Sequence, residues 1–260
     1  MKEYFVIGNN ASQSLSPLIF KHWFKKYKIN ANYKFVEVSP AKFDTALKKE
    51  LRNKNLGGFN ITIPYKSKVI KYLDVQNKHA KIIGAVNCVL IGKKIKGVNT
   101  DWIGYLNSIK DIRLKKNKKI IILGFGGASQ AIAYGLNFRG YKNLNIFNRS
   151  KKKILFNNRT QYTKKFSFLD KYLEGADLII NTTPTNPIKK QQTKLLKKQA
   201  VISDIVYKPK KTNFIKSFKD NKKIYGISML VEQAVPCFNL WFGFNPEIDD
   251  VLIDKLNKKI

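Results

Sequence analysis

Ile120-Ile121-Ile122-Leu123-Gly124-Phe125-Gly126-Gly127-Ala128-Ser129, with the adjoining segment as far as Arg149, decides the fold. The first four residues form a continuous β-branched and apolar run, the pattern of a parallel strand covered on both faces. The glycine cluster permits a tight turn and a close approach of backbone N–H groups to an anion. A helix predicted from Ser129 to about Phe138 points its positive end at the same place. Together these make a pyrophosphate site; the structural alternative is a plain tight turn between buried elements. Arg139-Gly140 ends the helix, and Leu144-Asn145-Ile146-Phe147 returns as a second strand, giving a βαβ unit of dinucleotide-binding length. Ser129 stands where such turns usually carry a third Gly or Ala.

The loop after the second strand selects the cofactor. An NAD site ends here on Asp or Glu, which holds the ribose 2′-hydroxyl. This chain instead has Asn148-Arg149-Ser150-Lys151-Lys152-Lys153. A cationic, acid-free loop suits a 2′-phosphate, so the predicted cofactor is NADP(H).

A chain of 260 residues, 43% hydrophobic and 12% aromatic, is long and apolar enough for one large or two ordinary packed domains. The formal net charge of +33, from 50 Lys and Arg against 17 Asp and Glu, raises nucleic acid or an anionic membrane as a partner. The lysines, however, run through the whole chain in ones to threes, among abundant Asn, Ile, Phe and Tyr. That pattern reads as A/T-rich codon usage and not as a binding stripe, so no specific nucleic-acid partner is expected. A basic surface still draws phosphorylated cofactors, more weakly as salt rises. Cys88 and Cys237 suggest neither a disulfide scaffold nor a metal site, and fit a reducing compartment. No signal segment and no bilayer-length apolar run is visible, so a cytoplasmic location without membrane partners is expected. His22 and His79 sit in Lys-rich helical surroundings and read as surface or boundary residues.

From the N-terminus, Tyr4 to Ile7 is a first strand. Ser14-Leu15-Ser16-Pro17 then opens a helix, with Pro17 at its first position, Ser16 as N-cap, and Ile19, Phe20, Trp23, Phe24 and Tyr27 at helical spacing. Ser14 has no such structural explanation. Two hydroxyls beside free N–H groups at a helix start suit a carboxylate ligand. A second strand lies around Tyr33 to Val38, and a helix near Phe43 to Leu51. In Gly58-Phe59-Asn60-Ile61-Thr62-Ile63-Pro64-Tyr65-Lys66, alternation places Phe59, Ile61 and Ile63 on one face and Asn60 and Thr62 on the other. Pro64 ends the strand, and Lys66 falls just beyond its carboxyl end, where ligands collect in α/β sheets. The alternatives are a solvated strand face for Asn60 and Thr62 and one more surface lysine for Lys66. Residues 67–83 read as helix in two pieces closed by Gly84, followed by a hairpin through Gly92. Asn99-Thr100-Asp101 precedes a helix from Trp102, where Thr100 or Asp101 reads as an N-cap, and Asp101, an acid in a chain short of acids, is also a candidate functional group. Strands come next at 176–181, 201–207 and 223–226, then a helix from Met229 to Phe242 that carries Gln233.

In this order the segments Ser14 to Pro17, Asn60 to Lys66, Gly84 to Asn87, Asn99 to Asp101, Gly124 to Ala128, Asn148 to Ser150, Asn181 to Pro184, Asp204 to Tyr207 and Gly226 to Gln233 resemble the shikimate dehydrogenases, small NADP-linked enzymes of aromatic amino acid and chorismate biosynthesis. The resemblance implies an α/β fold of two domains with a cleft between them. Residues 1–101 plus about 236–260 would form the substrate domain, and about 102–235 the Rossmann NADP-binding domain. It implies Lys66 and Asp101 as the catalytic pair, with Ser14, Ser16 and Tyr207 on the substrate carboxylate. Thr62, Asn87, Asp101 and Gln233 would hold ring hydroxyls. Gly124, Gly126, Gly127 and Ala128 would lie at the pyrophosphate, Asn148, Arg149, Ser150 and Lys153 at the 2′-phosphate, and Thr182, Gly226 and Met229 elsewhere along the cofactor. A monomer or homodimer is implied, and no metal. The rival expectations are a quinate/shikimate dehydrogenase paralogue and a non-catalytic NADP-binding regulatory module. Departures are Cys88 for the commoner Thr, Phe125 for Ala, and Trp102 for a smaller residue at a pocket mouth.

Overall fold

The structure is a computed structural model that describes residues 1–156 and 159–260. Its chain divides into two compact units, Met1–Thr100 with Gln233–Lys258, and Asp101–Glu232 with Lys259–Ile260.

The first unit begins β1 (Lys2–Gly8), α1 (Ser16–Lys26), β2 (Ala31–Glu37), α2 (Phe43–Leu51) and β3 (Leu56–Ile61). It continues with β4 (Val75–Gln76), α3 (Lys78–Ile83), β5 (Cys88–Ile91) and β6 (Ile95–Val98). The strands make one sheet in the order β2-β1-β3-β5-β6-β4, parallel around β1 and antiparallel through β3, β5 and β6. Alternation along β1 sends Phe5 and Ile7 into a cluster with Phe43, Leu47, Phe59 and Ile61. Tyr4 goes the other way, onto Phe24, Trp241 and Phe242. Both faces of the sheet are therefore covered, and all six residues of β3 are buried.

The structure removes one alternative and corrects one expectation. Asn60 is not on a solvated face: it is 6% exposed, on an interior strand between β1 and β5. Ile63 does not continue the apolar face, because β3 stops at Ile61. The chain turns instead, with Thr62 N–H on the Ile7 carbonyl and Tyr65 N–H on the Thr62 carbonyl, and Ile63 is 68% exposed. The two helical pieces expected over residues 67–83 are a 3₁₀ turn, Lys68–Tyr72, and α3, with β4 between them. Gly84 closes α3 at φ 71°.

The second unit holds α4 (Asp101–Ser108), β7 (Ile120–Leu123), α5 (Gly127–Phe138), β8 (Leu144–Phe147), β9 (Lys153–Phe156) and β10 (Arg159–Tyr162). After these come α6 (Leu169–Leu173), β11 (Leu178–Asn181), β12 (Val201–Asp204), α7 (Asn213–Lys216) and β13 (Lys223–Ile224). Five parallel strands stand in the order β13-β12-β11-β7-β8, while β9 and β10 form a separate antiparallel pair. Ile120 and Ile122 of β7 enter one cluster with Ile132 and Leu136 of α5, and Ile121 and Leu123 enter another with Leu169 and Phe214. An unalternating apolar run is what a strand with two buried faces requires. Trp102 of α4 meets the rings of Tyr134 and Phe138 of α5 edge to face, at 5.7 and 5.3 Å. Among the described residues, no helix is long and apolar enough to cross a membrane.

Last come α8 (Gly226–Phe242) and α9 (Asp250–Asn257). The chain beyond α8 is tied to α1: Trp23 Nε1 donates to the Glu247 carbonyl, Lys26 Nζ lies 2.6 Å from Asp249, and Asp249 caps α9 by accepting from Leu252 N–H. Burial alone would raise the Asp249 carboxyl. Lys26, the Leu252 N–H and His22 outweigh it and hold the pKa at about 2. A carboxyl depressed in the folded state contributes stability above its unfolded pKa and loses it as pH falls through the folded value. Urea midpoints of the wild type are therefore expected to fall more steeply between pH 4 and pH 2 than those of Asp249→Asn, which has no such carboxylate to protonate. Parallel pH profiles would show that this contact does not set acid stability.

Candidate active site

Two groups of residues stand out, one in each unit. In the first, Asn87 opens the segment into β5 and is 2% exposed. Its Oδ1 accepts from Thr100 N–H at 2.7 Å, and its Nδ2 donates to Thr100 Oγ1 at 2.8 Å and Gln233 Oε1 at 3.0 Å. Its carbonyl accepts from Asn60 Nδ2 and from Ile61 N–H. Asn60 in turn accepts from the Tyr33 phenol at 2.7 Å and donates to Cys237 Sγ at 3.2 Å. Burial pushes the Tyr33 phenol well above its usual range, and the Ser16 hydroxyl hydrogen-bonds it. One buried polar network thus joins α1, β2, β3, the start of β5, the end of β6 and α8.

The predicted Ser14, Ser16, Asn87 and Gln233 all lie on or at the edge of this network. Thr62 and Lys66 flank it. Ile61, next to Thr62, donates to the Asn87 carbonyl, and the Lys66 carbonyl accepts from Val86 N–H at 2.8 Å. Both residues are half-buried in the turn beyond β3. Asp101, 4% exposed at the first position of α4, and Tyr207, just past β12, belong to the second unit. Tyr207 follows a braced bend in which Asp204 accepts from Val206 N–H and Thr212 Oγ1. Burial raises the Asp204 carboxyl, against the pull of those donors.

The expected helix start is corrected in two respects. Ser16 is the first residue of α1 and not its N-cap, a position that Leu15 occupies without a side-chain hydrogen bond. Ser14 does have a structural role, since its Oγ accepts Ser16 N–H at 3.2 Å. Nor are the first N–H groups free: Pro17 has none, and Leu18 and Ile19 donate to the Leu15 carbonyl. The donors left at this helix start are the hydroxyls and not the helix backbone.

Sequence reasoning passed over Tyr33 and Cys237 and weighed Thr100 only as a cap. Tyr33 and Cys237 are marked by nothing local, since Tyr33 meets Asn60 across 27 residues and Cys237 meets Thr100 and Asn60 across 137 and 177.

In the second unit, the chain leaves β7 at Gly124, beside the β7–β11 border where the strand order reverses. That is the position at which open α/β sheets bind ligands. Gly124 has φ +100°, and a Cβ there would lie 2.6 Å from Thr182 Oγ1. Thr182 is held in turn by donating through N–H and Oγ1 to the Leu123 carbonyl. Gly126 differs. It caps α5 at φ −104°, which any residue adopts, and a Cβ there would meet nothing within 4 Å. The fold does not require glycine at this point, and the space it leaves faces the start of a 12-residue helix, beginning Gly127-Ala128, where an anion is stabilised. Ser129, in place of the third glycine, donates to the Gly124 carbonyl at 2.7 Å and so ties helix to turn.

Past β8, Asn148 Nδ2 turns back onto the Ser150 carbonyl, while Arg149, Ser150 and Lys153 are exposed, with no acid among them. This donor set fits a phosphorylated dinucleotide. Gly226 and Met229 have packing explanations: a Cβ at Gly226 would collide with the Ile205 carbonyl, and Met229 is buried in the core with Ile132 and Ile224.

Comparison with known proteins agrees. Residues 6–89 match the model of the shikimate dehydrogenase substrate binding domain, and residues 108–221 that of shikimate / quinate 5-dehydrogenase. The chain is 37% identical to the shikimate dehydrogenase (NADP(+)) of Staphylococcus epidermidis, over 99% of this chain and 100% of that one. It is 35% identical to that of Methanocaldococcus jannaschii, over 97% and 96%. The crystal structure of shikimate 5-dehydrogenase from Thermus thermophilus, in complex with NADP(H) and shikimate, superposes with a TM-score of 0.82 at 25% identity, covering 100% of this chain and 99% of that one.

The two glycines separate fold from ligand. Gly126→Ala is expected to keep the wild-type unfolding midpoint and to raise KM for NADP by about tenfold, the loss of roughly 1.4 kcal/mol of binding. Gly124→Ala is expected to cost about 1–2 kcal/mol of stability, because it places a Cβ in a left-handed conformation. Thermal unfolding alongside initial rates checks both, and a destabilised Gly126→Ala with an unchanged KM would reverse the assignment.

Proposed function

Because the chain belongs to the shikimate dehydrogenase family, we propose that Lys66 is the general acid and base of its reaction and that Asp101 is the carboxylate that orients it. The reaction is the reversible, NADPH-dependent reduction of 3-dehydroshikimate to shikimate, a step of aromatic biosynthesis. NADPH, when bound, supplies the hydride. As negative charge grows on the substrate's carbonyl oxygen, the Lys66 ammonium stabilises it and delivers the proton; in the reverse direction the neutral amine takes the hydroxyl proton.

Ser14 and Ser16, with Tyr207, hold the substrate carboxylate through hydroxyl donors. Thr62, Asn87, Asp101 and Gln233 hold ring hydroxyls. Gly124, Gly126, Gly127 and Ala128 admit the cofactor pyrophosphate, Asn148, Arg149, Ser150 and Lys153 meet the 2′-phosphate, and Thr182, Gly226 and Met229 complete the cofactor contacts. Residues 1–101 with about 236–260 serve as the substrate part and about 102–235 as the cofactor part. The protein acts in the cytoplasm as a monomer or homodimer.

The observation that carries this reading is the buried network around Asn87. The side chains of Tyr33, Asn60, Asn87, Thr100 and Gln233, hydrogen-bonded into one buried network next to the turn that carries Thr62 and Lys66, are what recognition of a polyhydroxylated ring requires.

Initial rates with shikimate or quinate, each paired with NADP or NAD, are expected to be appreciable only for shikimate with NADP. Equal rates with quinate or NAD would indicate a broader paralogue, and no turnover in any combination would leave a binding module. Lys66→Ala is expected to lose about 10²–10⁴-fold in turnover while binding NADP as the wild type does. A variant that kept most of its rate would remove Lys66 from the mechanism.

A further inference from the structure

Thr100 is fully buried and meets the Asn87 amide at both ends. A backbone N–H can only donate, so the atom that Thr100 N–H reaches at 2.7 Å must be the amide oxygen. The other end is therefore NH₂. One of its hydrogens goes to Thr100 Oγ1 at 2.8 Å and the other to Gln233 at 3.0 Å. The Gln233 atom that receives it must then be Oε1, which Cys237 Sγ also approaches at 3.9 Å. Thr100 Oγ1, accepting from Asn87, lies 3.1 Å from Cys237 Sγ, which closes the ring of contacts. The orientation of two amides is thus propagated from a single backbone N–H.

We propose that Thr100 is a positioning residue for the substrate site: its backbone N–H selects the orientation of the Asn87 amide, and its hydroxyl, accepting from Nδ2, holds the amide at that orientation, so that Asn87 accepts from a substrate hydroxyl through Oδ1 and Gln233 donates to one through Nε2. The inference rests on the reading that Asn87 and Gln233 face ring hydroxyls, and it explains how two amides, each able to rotate by half a turn, present a single pattern. The pattern asks the substrate for a hydrogen-bond donor at Asn87 and an acceptor at Gln233, roles that ring hydroxyls supply.

The test is the kinetics of Thr100→Val, Thr100→Ala and Thr100→Ser. Valine matches the shape of threonine but removes the acceptor that holds Asn87 Nδ2. KM for shikimate is expected to rise about tenfold, the size of one net hydrogen bond, with KM for NADP unchanged and kcat within about twofold, since proton transfer at Lys66 is untouched. Serine restores Oγ and is expected to restore KM. If the valine protein does not fold, the alanine variant, which adds no methyl beside the Cys237 sulfur, carries the same expectation. An unchanged shikimate KM in the valine or alanine protein would overturn the proposal. So would a serine variant as impaired as valine, or a loss shared equally by both substrates together with a fallen unfolding midpoint. Failure of the wild type itself to turn over shikimate would instead refute the functional reading on which the proposal rests.

Discussion

Burying an amide side chain is costly unless each of its donors and acceptors finds a partner, and Asn87 is where the first unit meets that requirement. The residue is 2% exposed, yet backbone and side chain together accept hydrogen bonds from the end of β3 and from Thr100 past β6, and donate to Thr100 and to Gln233 of α8. These segments come together only in the folded chain, with Gln233 146 residues from Asn87 in sequence. A network satisfied in this way has few alternative arrangements, since moving any member leaves another unpaired in a region of low dielectric. The same condition that stabilises the fold therefore holds polar groups in fixed positions for a ligand. Lys66 and Thr62 gain by it because backbone bonds pin the residues beside them to the residues around Asn87.

In the second unit the constraint is steric. β7 needs apolar residues on both faces, and its carboxyl end must turn sharply beneath Thr182, which leaves Gly124 no room for a side chain. Two residues later the crowding has gone. Gly126 lies open at the N-terminus of α5, where N–H groups and the helix dipole converge. A tight turn alone would explain the first glycine and not the second. The absence of acids over Asn148 to Lys153 then favours a phosphate over a bare ribose hydroxyl.

The βαβ unit was legible in the sequence because its signals are local: an unbroken apolar run, a glycine cluster, a helix stop and a second apolar run within about thirty residues. The strand before Lys66 was legible only in part. Period two placed Asn60 and Thr62 together, but periodicity cannot tell a wet polar face from a dry hydrogen-bonded one, and the covering layer of Phe20, Phe238 and Trp241 is assembled from segments some two hundred residues apart. The start of α1 misled for a related reason. Ser16 before Pro17 has the composition of a cap, but the turn at Leu15 begins the helix one residue earlier and turns Ser14 into the acceptor. Tyr33 could not be singled out, and Thr100 showed only as a cap, because their importance lies in what they touch and not in what surrounds them in the chain.

The serine pair shows how the two kinds of information combine. Ser14 lies 3.2 Å from Ser16 Oγ, and Ser16 hydrogen-bonds the Tyr33 phenol, which donates to Asn60. In this arrangement a line of hydroxyl protons runs inward from the surface of the unit to the Asn87 network. A carboxylate has only acceptors, so it must be met by protons turned outward. Since the first N–H groups of α1 are engaged or absent, no backbone donor can take their place. Binding an anion at Ser14 and Ser16 therefore requires these hydroxyls to rotate, and the Tyr33 oxygen then gives up the donor it had. The cost is small, because a hydroxyl turns about a single bond and Tyr33 keeps its bond to Asn60. On the proposed assignment the Ser14 and Ser16 end is therefore adaptable, whereas the Asn87 end, oriented by a backbone N–H, is not, and that assignment gives discrimination between related ring compounds to the rigid end.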